Sequence, residues 1–196
     1  MGAIVDGVPA GIDLSEEDIQ SFLDRRRPGQ SNVTTSRDES DKCHIYSGVF
    51  GGKTTGSPIM VMIENTSQRS QDYDELAITY RPGHADFSFD SKYGFRDYRG
   101  GGRSSGRETI GRVIAGAVAI KALDMLGISI QAFTQSIGNI YAGKLNLEEC
   151  SENDVYMPDN EAALKAIELI NEARADKDSL GGIIGCIATG VMPGLG

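Results

Sequence analysis

A chain of 196 residues with 39% hydrophobic residues is long enough for one sizeable core, so we expect a single domain. Its formal net charge of -9 argues against nonspecific nucleic-acid binding, because a protein surface that binds the phosphate backbone normally carries an excess of basic residues. Three widely spaced cysteines indicate neither a disulfide framework nor a zinc site, which favours a cytoplasmic protein. No run approaches the roughly 20 apolar residues of a membrane span, which favours a soluble one.

The first third of the chain predicts a strand, a helix and two more strands. Residues 3–8 form a short apolar run that predicts the first strand. Ser15 and the three acids after it resemble an N-cap with an acidic first turn, and helical apolar spacing continues to the arginines at 25–27, before Pro28. Residues 45–50 and 59–63 predict the next two strands, which flank a Gly- and Thr-rich connection.

The connection contains the run GGKT at 51–54, which invites comparison with a Walker A motif. That motif requires a glycine where this chain has Ser47, and Pro58 prevents the helix that should follow. A hairpin turn between two strands is therefore the favoured interpretation.

Residues 65–106 are polar and glycine-rich and fit neither the helical nor the strand period, although their aromatic residues favour an ordered segment. Ser105 to Glu108 then matches a capping box, and an apolar face predicts a helix to about Leu126. A strand at 128–137, a helix at 159–175 and a buried strand at 182–189 complete a mixed α and β order. Both ends of the chain lie directly beside strands, which favours an incomplete domain.

The stretch 96–109 is the strongest indication of a binding site. It places four arginines, a glycine triplet and a serine pair at the start of the helix predicted to run to about Leu126, a combination that predicts a site for a small, multiply charged anion. Arg103 lies between the glycines and the helix start, so we favour ligand contact there. Ser104 and Ser105 can cap the helix, bind the ligand or do both. Ser105 occupies the place of the third glycine of G-x-G-x-x-G, which argues against a Rossmann dinucleotide site.

His84 is one of two histidines and the candidate for proton transfer, because Arg81 and a possible orienting partner, Asp86, flank it. His44 has no such neighbours, so we expect it to be structural. No metal-binding constellation is predicted. Surface salt bridges and ligand contact are equally good interpretations of three other arginines, Arg96, Arg99 and Arg112.

Five segments closely resemble the chorismate synthase family, in this order and at matching spacing: residues 2–9, 24–29, 68–70, 81–86 and 98–105. The resemblance runs from end to end and covers about the N-terminal half to three-fifths of the family's usual length. The family's opening Gly-Glu-Ser-His-Gly segment and its C-terminal portion have no counterpart here. We therefore expect residues 1–196 to be a single truncated domain that does not turn over alone.

The resemblance implies an α+β fold, a β-α-β sandwich subunit in a homotetramer. It implies a lyase of the shikimate pathway that converts 5-enolpyruvylshikimate 3-phosphate to chorismate and phosphate by anti-1,4-elimination. Reduced FMN is the implied cofactor, with NADPH as a candidate reductant. The implied site residues are Arg26, Arg81 and Arg103 for the substrate anions, Arg103, Ser104 and Ser105 for the flavin phosphate region, and His84 as the proton donor beside the flavin.

Two alternatives remain open from the sequence. Asn32 stands where many family members have an arginine, which puts one substrate or nucleotide contact in question. A non-catalytic module that binds anions or nucleotides would also account for the arginines and glycines.

Overall fold

The computed structural model describes residues 1–29, 40–64, 77–98 and 105–195. Within these ranges, 3₁₀ turns lie at Gly106–Glu108 and Glu149–Glu152. The helices are α1 (Glu16–Arg26), α2 (Asp86–Tyr93), α3 (Thr109–Asp124) and α4 (Asn160–Ala175). The strands are β1 (Gly2–Val5), β2 (Cys43–Ile45), β3 (Val49–Phe50), β4 (Lys53–Thr54), β5 (Ile59–Ile63), β6 (Ser129–Ile137), β7 (Ile140–Tyr141) and β8 (Gly182–Thr189).

Contacts group the chain into two compact units, the first within residues 1–122 and the second chiefly within residues 123–196. The first unit contains an antiparallel sheet in the order β1-β5-β2. Because side chains alternate along a strand, Ile59, Val61 and Ile63 all face one side of β5. They share a core with Leu23 of α1 and Ile114 of α3, so one sheet face and two helices form this core.

Helix α1 begins as the sequence predicts. The Ser15 hydroxyl accepts a hydrogen bond from the Asp18 backbone N–H, and the Asp18 side chain accepts one from the Ser15 N–H, which completes a capping box. The helix ends at Arg26, just before Pro28, since proline restricts the residue before it to extended conformations. Arg26, in the last turn, thereby comes within hydrogen-bonding distance of Asp41 and of Thr109 at the start of α3.

The GGKT run forms the predicted hairpin. Strands β3 and β4 pair on either side of Gly51 and Gly52, whose φ angles of 58° and 77° are those that a tight hairpin turn requires. The single strand predicted at 45–50 is wrong, because β2 ends at Ile45 and β3 starts at Val49. Gly48 lies between them with a φ of 80°, in the left-handed region, and turns the chain.

The second unit contains an antiparallel sheet in the order β7-β6-β8 and helix α4. Asp159 caps α4 by accepting hydrogen bonds from two backbone N–H groups, as its position in the sequence suggests. The bounds predicted for β8 are right, but its predicted burial is wrong: Ile183 and Ile184 are 46% and 68% exposed. The buried core of this unit comes instead from α4 and the segment before it, including Met157.

The mixture of helices and antiparallel strands confirms the α+β content expected from the sequence. None of the helices within the described ranges combines the length and apolar character needed to cross a bilayer.

The three cysteines differ enough in environment to be distinguished chemically. Burial raises the pKa of the Cys43 thiol to about 11 and also raises the pKa of Cys150, whereas Cys186 is exposed on β8. Since the thiolate is the reactive form, an alkylating reagent at about pH 8 should modify Cys186 first and spare Cys43. Peptide mass spectrometry measures this order, with the urea-unfolded chain as the control in which all three react. Equal rates at Cys43 and Cys186 in the folded chain would contradict it.

Candidate anion-binding site

Arg26, in the last turn of α1, lies in a charged cluster with residues from two other parts of the first unit. Its Nη1 donates to Asp41 Oδ2 at 2.7 Å, and its Nε donates to the hydroxyl of Thr109 at 3.3 Å. Thr109 is the first residue of α3. The end of α1 is thus tied directly to the start of α3.

Arg107 completes this cluster from the 3₁₀ turn that precedes α3. Its Nη2 donates to Asp41 Oδ1 at 2.6 Å, so each oxygen of one carboxylate binds a different arginine. The Asp41 side chain is 0% exposed, whereas those of Arg26 and Arg107 are 22% and 11% exposed. The carboxylate therefore lies beneath two arginine side chains that are each only partly exposed. We call Arg26, Asp41 and Arg107 the arginine–aspartate cluster.

Ser105 caps the 3₁₀ turn, as expected, but by a different bond from the one predicted. Its hydroxyl accepts from the Arg107 N–H at 3.2 Å, one residue earlier than the Glu108 N–H of a capping box. The cause is the tighter 3₁₀ geometry of the first turn. The cap sets the position of Arg107 at the start of the helical segment.

The electrostatics of this region favour an anion. Two guanidinium groups and one carboxylate leave a formal charge of +1 on the arginine–aspartate cluster. The aligned peptide dipoles of α3 and of the 3₁₀ turn before it add partial positive charge at the N-terminal end of this helical segment. Both contributions suit a phosphate or carboxylate group.

A second charged group is built on a turn at residues 81–84. The His84 N–H donates to the Arg81 carbonyl oxygen at 3.2 Å, and the proline and glycine between them fit a type II turn, with Gly83 at a φ of 74°. The turn leaves His84 exposed, immediately before α2. An exposed imidazole can exchange protons with solvent or with a ligand.

Asp86 does not orient His84, which corrects one expectation from the sequence. Both Asp86 oxygens accept from Arg81, at 2.9 and 2.8 Å, and Oδ2 also accepts from the Arg81 backbone N–H at 3.0 Å. The Arg81 hydrogen bonds hold the pKa of the buried Asp86 carboxyl well below its usual value. Asp86 therefore fixes Arg81 and remains ionised.

Arg96 shows that one arginine of the stretch is structural. Its Nη1 lies 3.1 Å from Asp90 Oδ2, its Nε lies 3.7 Å from Asp86 Oδ1, and its Nη2 donates to the Thr79 carbonyl at 2.6 Å. The side chain is only 7% exposed. The salt-bridge interpretation is thus right for Arg96, although its ion pairs are largely buried and not at the surface as predicted.

The described hydrogen bonds assign the two predicted substrate arginines to different carboxylates, Arg26 to Asp41 and Arg81 to Asp86. Arg103 and Ser104 lie outside the described residues. Two members of the arginine–aspartate cluster were missed. Arg107 was counted among the arginines of the stretch but given no role, and Asp41 lies in a polar segment with no motif that distinguishes it.

No group of three or more His, Cys, Asp or Glu side chains in the described part of the chain is arranged to hold a metal ion.

Fold and site together define an α+β protein with a candidate anion-binding site. A family model described as chorismate synthase matches residues 1–196, and the chain belongs to that family. Chorismate synthases from Agathobacter rectalis and Lachnospira eligens are 57% and 56% identical to it over 198 residues. The match covers 100% of this chain and 54% of each relative, so the chain spans about half the length of the curated relatives it matches.

A solved crystal structure of a chorismate synthase has the same fold. It matches with a TM-score of 0.74 at 32% identity, over 100% of this chain and 58% of the solved chain.

Proposed function

We propose that this chain forms part of a lyase that converts 5-enolpyruvylshikimate 3-phosphate to chorismate and phosphate in the shikimate pathway. Membership of the chorismate synthase family across residues 1–196 is the observation that carries the proposal. A 1,4-elimination removes a proton and a leaving group from the two ends of an allylic unit. Here the phosphate leaves with the electron pair of its C–O bond, and a new double bond forms.

The arginine–aspartate cluster supports this function by its charge. The substrate carries one phosphate and two carboxylates, and Arg26 and Arg107 offer forked donors to such groups beside the positive end of α3. Fixed positive charge near the departing phosphate stabilises the negative charge that develops on it. Arg81, held by Asp86, is proposed as a further contact to a substrate anion.

The residues present also fit a flavin phosphate. The Ser105 hydroxyl accepts from the Arg107 N–H but keeps its own O–H to donate, and Arg107 adds a guanidinium group at the same helix start, a donor set that suits a phosphate group. Arg103, Ser104 and Ser105 are proposed to bind the phosphate region of reduced FMN. When bound, reduced FMN supplies the electron-rich ring system that the elimination requires, without net redox change. His84 is proposed to hold a proton on its exposed imidazole, beside the flavin.

The finer architecture is also part of the proposal. We propose that the whole protein adopts the β-α-β sandwich of its family, assembles as a homotetramer and acts in the cytoplasm, with NADPH as the candidate source of electrons for FMN. The likeness to the solved chorismate synthase supports the fold of this proposal.

A genetic test follows from the length of the relatives. In a chimera, this chain replaces the matching 54% of the Agathobacter rectalis protein. We expect the chimera to restore growth without aromatic amino acids in a bacterial host that lacks its own chorismate synthase. The intact relative is the positive control, and the relative with this segment deleted is the negative control.

Failure to grow, with the chimera present at the level of the intact relative, would contradict the proposed function. Measurable phosphate binding by such an inactive chimera would favour the alternative of a non-catalytic anion-binding module.

A further inference from the structure

Asp41 is the most completely buried charged side chain of the site, at 0% side-chain exposure. It occupies a left-handed backbone conformation, with a φ of 42°, which residues other than glycine seldom adopt. Aspartate tolerates this conformation better than most residues, because its short polar side chain bonds locally. The position therefore combines a backbone constraint with a buried charge.

The hydrogen bonds of Asp41 connect it to the two arginines of the cluster and to a glutamine of α1. Its two oxygens accept from Arg26 and Arg107, which are 15 and 66 residues away in the sequence. Its backbone carbonyl accepts from the Gln20 side chain of α1 at 3.4 Å. One carboxylate thus joins the end of α1 to the turn before α3 and brings two guanidinium groups into neighbouring positions.

A buried carboxylate beneath two partly exposed arginines not only offsets part of their charge but also fixes their side chains before a ligand binds. Long arginine side chains lose considerable rotamer freedom when they bind a ligand, and a fixed partner removes that cost in advance. The two charge-assisted hydrogen bonds, at 2.7 and 2.6 Å, restrict both guanidinium planes while leaving each side chain partly accessible.

We propose that Asp41 is a positioning residue, which holds the guanidinium groups of Arg26 and Arg107 side by side as one binding surface for an anionic group of the substrate. Asp41 itself does not touch the substrate. This proposal rests on the proposed function for the identity of the substrate, although the anion-binding surface can be tested without turnover.

The test uses the chimera and its Asp41→Asn variant, with inorganic phosphate as the probe in calorimetry. Asparagine retains tolerance of the left-handed backbone but replaces one acceptor oxygen with an NH₂ group, to which an arginine cannot donate. We expect phosphate affinity to fall about 10- to 100-fold. In the turnover assay, the KM for 5-enolpyruvylshikimate 3-phosphate should rise by a similar factor, with a smaller change in kcat.

Asp18→Asn is the matched control. Asp18 lies in the same unit, caps α1 and pairs with Lys121 at 2.5 Å. Within the described part of the chain, its side-chain hydrogen bonds and ion pairs involve Ser15 and Lys121, not the arginine–aspartate cluster. Its replacement should lower the melting temperature while leaving phosphate affinity and KM within about twofold of wild type. A purely structural role for Asp41 predicts that the two variants behave alike.

Two results would overturn the proposal: a folded Asp41→Asn chimera with unchanged phosphate affinity and KM, or a wild-type chimera that does not bind phosphate at all. If Asp41→Asn fails to fold, Asp41→Glu tests the positioning role instead. Glutamate keeps the negative charge, but its longer side chain displaces both guanidinium groups. Weakened phosphate binding by a folded Asp41→Glu supports the proposal, and wild-type binding contradicts it. If the chimera binds phosphate in an Asp41-dependent way but forms no chorismate, the positioning role is supported and only the proposed lyase function is contradicted.

Discussion

Replacing Asp86 with alanine should lower the free energy of unfolding by about 3–5 kcal/mol, because it leaves the partly exposed Arg81 and the buried Arg96 without their shared carboxylate. Asp86 is 3% exposed and accepts three hydrogen bonds from Arg81, while Arg96, at 7% exposure, lies 3.7 Å away. Urea unfolding near neutral pH measures the loss.

Asp90→Ala is the matched control on the same helix. Its carboxylate is 27% exposed and contacts Arg96 alone among the described ion pairs, so we expect a loss of about 1 kcal/mol or less. Equal losses for Asp86→Ala and Asp90→Ala would show that burial does not decide the effect.

The pH dependence of stability provides a second readout for Asp86. Its folded-state pKa lies below the usual 3.8, so the folded protein binds this proton less readily than the unfolded chain. The stability it contributes is therefore fully present above about pH 4 and is lost as the pH falls towards the lowered pKa. Asp86→Asn should show a smaller loss on acidification than wild type, and an identical pH profile would contradict the assignment.

Replacing His84 with alanine in the chimera should lower kcat by roughly 100- to 10,000-fold, the range typical of a lost general acid or base. His84 is exposed and is held by the backbone bond of its turn rather than by its side chain, so the melting temperature should not change. Activity and thermal unfolding measured on the same preparation separate these effects.

His44→Ala is the control for His84. His44 lies on β2, 42% exposed, with its Nδ1 3.5 Å from Glu16 Oε1. Its replacement should leave kcat near the wild-type value. Equal losses of activity in the two variants, or full activity of His84→Ala, would remove His84 from its proposed role.

Local chemistry explains which parts of the fold the sequence could predict. Ser15 and its acids specify the start of α1, the apolar repeat specifies α3, and β5 has the bounds that its apolar run predicts. Helix α2 was not predicted, because its aromatic and polar residues show no clear apolar stripe. The ion pair between Asp86 at its start and Arg96 just after its end has no signature in the apolar pattern.

The site was predictable only in part for a similar reason. The arginines, glycines and serines of the stretch 96–109 indicate an anion site by their proximity in sequence, and family resemblance assigns Arg26, Arg81 and His84. Asp41 could not be found this way, since its role depends on partners 15 and 66 residues distant. The burial of β8 was misjudged because an apolar run does not reveal whether a second layer covers it.

The most direct test of the proposed function is turnover by the purified chimera under anaerobic conditions, with reduced FMN and 5-enolpyruvylshikimate 3-phosphate. Chorismate absorbance and released phosphate are measured in the same reaction. We expect both products to accumulate in equal amounts and neither to form when reduced FMN is omitted. Bound substrate with no chorismate, in a chimera as folded as the intact relative, would contradict the proposed function.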